Sequence, residues 1–362
     1  MRTMKEALSY AHVVILIYMV QTGVTVFSLP QIEAQYFGTN GWLSVLFVFA
    51  AVSVNIFFMA LVYRIGNGKS IFDLMEQVLP KWTLIPLYGF LIGVWSMIGL
   101  MIVKEYVLIF QMMAFPTTDP MLLKLVVDLL ILYLVTKGIY NIGKAASVFF
   151  WLNVWMLFLL FFFFGDFDWS RMTTFVFQGG EDRKEGFIAI ASAFLGYELC
   201  MLLFPYADRK TKIIRATLMG NGLLTFSYLT LSIVAFGFFS VQQLKEMMFP
   251  LLDLMAYIVL PFVERLENFF YGLFLFSIIV TSTVYLWAAT ETSKRLFPRI
   301  ASKYLSFVLV AFQYAVSFLP DTLDEVKNWL ELFGQIEIGI AIGLPLFVLI
   351  LLIVHKATRR GN

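Results

Sequence analysis

The sequence predicts an all-α polytopic membrane protein with about ten transmembrane helices. Three observations predict it: the composition, the spacing of the apolar runs and the distribution of basic residues. Of 362 residues, 60% are hydrophobic and 14% charged, whereas a soluble domain carries about 25% charged residues. One globular core cannot absorb that much apolar surface, so lipid must cover the remainder. A net charge of +2 supplies no concentrated basic face of the kind phosphate recognition needs, which argues against a nucleic-acid partner. Cys200 is the one cysteine, so neither a disulfide framework nor a cysteine-built zinc site is open to the chain. In its apolar stretch it is expected to act as a small buried hydrophobe.

With about 20 apolar residues per span, helices are predicted at 9–34, 40–63, 84–112, 121–136, 145–165, 187–204, 214–237, 266–290, 304–319 and 335–355. The first runs past Pro30 without a small-residue cleavage site, so it is expected to be a retained span and not a signal peptide. Between the second and third, Ile71, Phe72, Leu74, Met75 and Val78 alternate with acids over Ser70–Leu79, the pattern of a short surface helix. The third span is long enough to tilt, and the fourth is short. The long connections are 166–186 and 238–265. In the second of these, Val241–Phe249 and Leu251–Phe262, punctuated by Pro250 and Pro261, are expected to form short helices over the mouth of the bundle. With the N-terminus inside, the inner segments hold 18 Lys and Arg against 6 in the outer connections. Both termini are therefore expected in the cytoplasm, and both long connections outside. Five spans precede 166–186 and five follow it, and an odd number per half forces opposite topologies. The chain is expected to be one transmembrane domain, 1–362, of two inverted repeats at about 9–165 and 187–355.

The first and sixth spans are interrupted. TGVTVFSLP (Thr22–Pro30) puts Gly23 mid-span among Thr22, Thr25 and Ser28, where Gly tolerates unwinding and the hydroxyls can satisfy freed backbone groups. FLGYELC (Phe194–Cys200) sets Gly196 beside Tyr197 and the carboxylate of Glu198 near mid-membrane. Breaks in matching positions of inverted halves point to a transporter-like site, whose half-helix ends suit the two charges of a small zwitterion. The plainer alternative is that these glycines serve close helix packing and the hydroxyls bond back to their own helix. Three roles are open to Glu198: a proton or cation site, a cap on the second half-helix, or the partner of a buried base. Lys104 and Glu105 point about 100° apart, so each needs a partner elsewhere. Arg265 and Glu267 are candidates by depth for a buried charge network with them, although interfacial anchoring is the simpler role. Lys124 and Asp128 can form a structural i,i+4 pair near the outer surface. His12 and His355 have no second ligand at metal spacing, so no metal site is expected. No catalytic or cofactor motif appears, which argues against an enzyme.

Several local patterns occur in order: the break around Gly23, NGWLS (Asn40–Ser44), VKEY followed by FPTTDP ending at Pro120, and LVTKGIYNIGKAA (Leu134–Ala146). GYELCMLLFPYADRKTK (Gly196–Lys212) and FPLLDLMAYIVLPFVERLE (Phe249–Glu267) follow. Over essentially its whole length the chain resembles the permease-like B subunit of spore germinant receptors, within the amino acid, polyamine and organocation transporters. The resemblance implies a LeuT-like fold of two inverted five-helix repeats and a pocket for a small nutrient such as an amino acid. It also implies assembly with an A-type membrane subunit and a C-type lipoprotein in the inner membrane of the spore. Carried over by position, the pocket is framed by Thr22, Gly23, Val24 and Thr25 and by Phe194, Leu195, Gly196, Tyr197 and Glu198. Related transporters show a Gly-rich run at the first break, whereas here one Gly stands, so Val24 and Thr25 narrow or shift the site. The function this implies is nutrient sensing in a germination receptor. The alternatives are a cation- or proton-coupled amino acid transporter and a scaffold for partner subunits without a ligand.

Overall fold

The structure, a computed structural model, describes residues 7–258 and 266–360. Local chemistry sets where its helices start and stop. Ser9 caps α1 (Tyr10–Gln21): its hydroxyl accepts from the His12 N–H at 3.2 Å, and its own N–H donates to His12 Nδ1 at 3.4 Å. The Thr22 hydroxyl ends the helix by turning back onto the Tyr18 carbonyl at 2.7 Å. Gly23 is extended, a 3-10 turn occupies Val24–Phe27, and α2 (Leu29–Phe37) restarts with Pro30 in its first turn, where a missing N–H costs nothing. The predicted break in the first span is therefore present.

There follow α3 (Leu43–Ile65), α4 (Ile71–Val78), α5 (Lys81–Ala114), α6 (Pro120–Thr136) and α7 (Ile139–Val154), the last continued as a 3-10 helix to Gly165. The amphipathic α4 buries Ile71, Phe72, Leu74 and Met75, as its pattern requires. Asp182 caps α8 (Arg183–Ala193), Gly196 breaks the helix at φ +114°, and the chain continues as a 3-10 helix over Tyr197–Tyr206. The remaining helices are α9 (Ile213–Phe238), α10 (Val241–Glu246), α11 (Pro250–Tyr257), α12 (Leu266–Leu296), α13 (Ser302–Val316) and α14 (Leu323–Arg360). Two short helices thus lie in the second long connection as predicted, and Pro261 falls outside the described residues.

Among the described residues there is no β-strand, and 7 helical segments are long and apolar enough to cross a membrane. The other predicted spans are the broken α1 and α2 pair, α6 with 17 residues and α13 with 15. Several helices outrun their predicted limits, and α14 begins at Leu323 instead of 335. Asp324, Glu325, Lys327 and Glu331 remove its first turns from an apolar window, although nothing in them stops a helix.

The two interrupted helices run side by side and are tied at both ends. The Leu8 N–H donates to the Tyr206 carbonyl at 2.9 Å. At the other end, Thr39 N–H donates to Gln178 O at 2.9 Å and Phe177 N–H to Thr39 O at 2.8 Å. α1 packs against α7, α9 and α12, and α5 runs along α12. There Tyr106 and Tyr271 stack with centroids 4.7 Å apart, and each hydroxyl bonds the other's carbonyl at 2.8 and 2.9 Å. Lys124 and Asp128 form the expected i,i+4 pair at 2.5 Å, and both side chains are buried in the bundle. α13 packs over α6, with the Lys124 ammonium 5.9 Å from the centre of the Tyr314 ring.

Candidate functional site

Breaking two helices inside a membrane releases carbonyls that water cannot reach, so neighbours must satisfy them. From α9, Tyr228 places its hydroxyl 3.1 Å from Gln21 O and 3.0 Å from Ala193 O, one carbonyl from each break. The Gln21 amide donates to the Phe194 carbonyl at 2.6 Å and to Asn221 Oδ1 at 3.0 Å. From α12, the Thr281 hydroxyl lies 3.1 and 3.2 Å from the carbonyls of Met19 and Val20. The local hydroxyls predicted for this work take a smaller share: Thr22 bonds Tyr18 O, and Ser28 reaches Thr25 O at 3.3 Å.

Above the breaks lies a cavity of about 560 Å³, open toward the end that carries the two long connections. Helical stripes build its walls: Ile98, Ile102 and Glu105 on α5; Glu185, Ala189, Ser192 and Ala193 on α8; Lys327, Leu330, Glu331 and Gly334 on α14. These spacings of three and four keep one face of each helix on the cavity. Ser28, Gln31, Ile32, Gln35 and Tyr36 on α2 add a further wall. Residues 245–248, at the end of α10, line its rim, and Val20, Gly23, Val24, Thr25, Leu195, Thr281 and Tyr285 form the floor. Glu105, Glu185, Glu246 and Glu331 stand against Lys245 and Lys327, a formal −2 in the lining. Lys245 is engaged with Gly179 O at 2.7 Å, and the Lys327 ammonium sits 5.0 Å from the Phe249 ring centre.

Of the residues predicted to frame a pocket, Gly23, Val24, Thr25 and Leu195 line this cavity. Thr22 faces a smaller cavity between α1, α9 and α12. Phe194 is fully buried, edge-on to Tyr228. Gly196 lies against Val20, and the Tyr197 hydroxyl accepts from Asn55 at 2.7 Å. Glu198 combines one predicted role with one that was not foreseen. Its carboxylate takes the Gly196 N–H at 2.8 and 3.0 Å, capping the second half-helix. It also accepts from the Tyr285 hydroxyl at 3.2 Å and lies beside a second acid, Glu337 of α14, instead of a base. Glu337 accepts in turn from Trp95 Nε1 at 2.9 Å.

The predicted charge network divides. Glu105 faces the cavity, while the Lys104 ammonium turns to Met121 Sδ at 3.2 Å. Glu267 is buried at the start of α12, and Arg265 lies outside the described residues. Sequence reasoning missed the α5 and α14 stripes, Tyr228, Glu337 and the buried Glu33, which accepts from Ser232 at 2.8 Å. A three-and-four spacing that joins Lys327, Glu331 and Gly334 was the available signal for α14.

A family profile described as "Spore germination protein" matches residues 7–326. Spore germination protein GerQB of Bacillus cereus is 25% identical, over 92% of this chain and 93% of that protein. Spore germination protein B2 of Bacillus subtilis (strain 168) is 24% identical over the whole of both. Among solved structures, Mhp1, a nucleobase-cation-symport-1 family transporter in a closed conformation with bromovinylhydantoin bound, superposes with a TM-score of 0.62 at 13% identity. It covers 91% of this chain and 75% of that one. A Na+-coupled sialic acid symporter in a substrate-bound outward-open state gives 0.63 at 11% identity, over 93% and 78%. The likeness bears out the LeuT-like fold with its broken first and sixth helices. From a family match over most of its length and a transporter fold around a cavity at two helix breaks, this chain belongs to the spore germination protein family, as a permease-like, multi-pass membrane protein and not an enzyme.

Proposed function

We propose that this chain is the nutrient-sensing subunit of a spore germination receptor and that its cavity binds a small nutrient, an amino acid. The observation that carries this reading is the cavity of about 560 Å³ that descends from the long connections to both helix breaks. That volume suits a small ligand. In this reading the chain is one domain, 1–362, of two repeats at about 9–165 and 187–355, with both termini cytoplasmic and the cavity facing outward across the inner membrane of the spore. The naming of relatives as GerQB and B2 supports assembly with an A-type membrane subunit and a C-type lipoprotein. Binding signals to them by favouring one arrangement of the bundle, which requires tighter binding to that arrangement than to the other.

Gly23 supplies the test. It lines the cavity with φ −100°, a conformation any residue adopts, and a Cβ there meets nothing within 4 Å. Gly23→Leu fills the cavity without disturbing the backbone. Spores carrying it are expected to lose the response to one nutrient in a panel of single amino acids and sugars, with partner-subunit levels unchanged on immunoblots. An unchanged response to every nutrient overturns the ligand site and favours a scaffold.

The symporter fold favours a second reading, a cation- or proton-coupled amino acid transporter. Accumulation of labelled amino acid in proteoliposomes decides for it, and partner-dependent germination without flux decides against it.

A further inference from the structure

Glu105 lines the cavity at 8% exposure and, among the described residues, makes no hydrogen bond or ion pair. Among the described residues, the charged group that acts on it is Lys327. That ammonium lies beyond salt-bridge distance and is placed over the Phe249 ring. On its own helix, the cavity-facing neighbours of Glu105 are Ile98 and Ile102, both hydrocarbon. A carboxylate held in this way is costly unless a donor or a cation meets it. Gln21, in the same lining, keeps its Oε1 buried without a donor. The unsatisfied groups here are acceptors, and the lining is formally negative.

We propose that Glu105 receives the ammonium group of the ligand, so that the cavity selects amines and amino acids over neutral sugars and nucleosides and over carboxylic acids. An ammonium group brings three donors and no acceptor, which matches the groups left open. Its attraction to a carboxylate is strongest where water is displaced. A divalent metal ion fits less well, since calcium takes six to eight oxygens. Among the described residues no three His, Cys, Asp or Glu side chains converge to supply them. The inference rests on the reading of the cavity as a ligand site.

The test uses the full chain in lipid nanodiscs and equilibrium binding by calorimetry. The probes are the twenty standard amino acids, D-glucose and inosine, then for each amino acid that binds, its deaminated acid and its decarboxylated amine. We expect amino acids to bind, the deaminated acids to bind at least about 10-fold more weakly, and Glu105→Gln to weaken the amino acids by a similar factor, with Glu105→Asp in between. Should Glu105→Gln fail to fold, the comparison of each amino acid with its deaminated acid on the unaltered protein still decides. Undiminished binding by Glu105→Gln or by the deaminated acids overturns the inference, and so does preferential binding of D-glucose or inosine. If Gly23→Leu abolishes binding in those cases, the ligand reading of the cavity stands while the role of Glu105 falls. Binding by none of the probes overturns both.

Discussion

Glu198 and Glu337 lie side by side deep in the bundle, where each depends on neutral donors for its hydrogen bonds. Trp95 and Tyr285 donate from the sides, and the Gly196 N–H occupies Glu198 from the third. Glutamine at 337 keeps an acceptor for Trp95, so Glu337→Gln is expected to unfold within about 1 kcal/mol of the parent. Glu337→Leu leaves the Trp95 N–H unpaired and is expected to cost about 1–3 kcal/mol, read from thermal unfolding in detergent. Equal stability of the two variants removes Glu337 as the acceptor that holds Trp95. Glu198 was legible in the sequence because an acid interrupts an apolar run beside a glycine. Glu337 was not, since its partner lies far along the chain and only packing of α14 brings the two together.

The two helix breaks look alike in sequence, each a single glycine in a membrane span, and they differ in what holds them. Gly196 has φ +114°, and a Cβ there would come 2.6 Å from Val20 Cγ1, whereas Gly23 is in an ordinary extended conformation with open space beside it. Gly196→Ala is therefore expected to lose about 1–3 kcal/mol of stability, and Gly23→Ala to lose less than about 0.5 kcal/mol. Parallel unfolding curves of the two variants test this, and coincident midpoints overturn it. That each helix would break was readable from Gly, Thr and Ser in apolar runs. Which donors would repair the break was not, because Tyr228 and Thr281 belong to other helices.

Across the whole molecule one end opens into the cavity and the other is covered. At the covered end α4 packs on the 3-10 helix that carries Cys200, and Arg295 ties α12 to Asp73 at 2.6 Å and Glu76 at 3.7 Å. Cys200 is fully buried, so a maleimide is expected to react with the native protein only as it opens. These ion pairs are partly exposed and each worth at most about 1 kcal/mol, so Arg295→Ala, which removes both, is expected to raise the native labelling rate by up to about 30-fold. No change in rate removes α4 from the closure. The membrane solvent, the rough limits of the apolar helices and the two breaks were legible along the chain alone. Each of these follows from composition and local chemistry within about 20 residues. Packing in three dimensions set that Glu105 faces the cavity while Lys104 turns away, that α14 extends to form a wall, and that Glu198 lies beside an acid and not a base. Those outcomes depend on how the helices rotate against one another, which packing sets and local sequence does not encode.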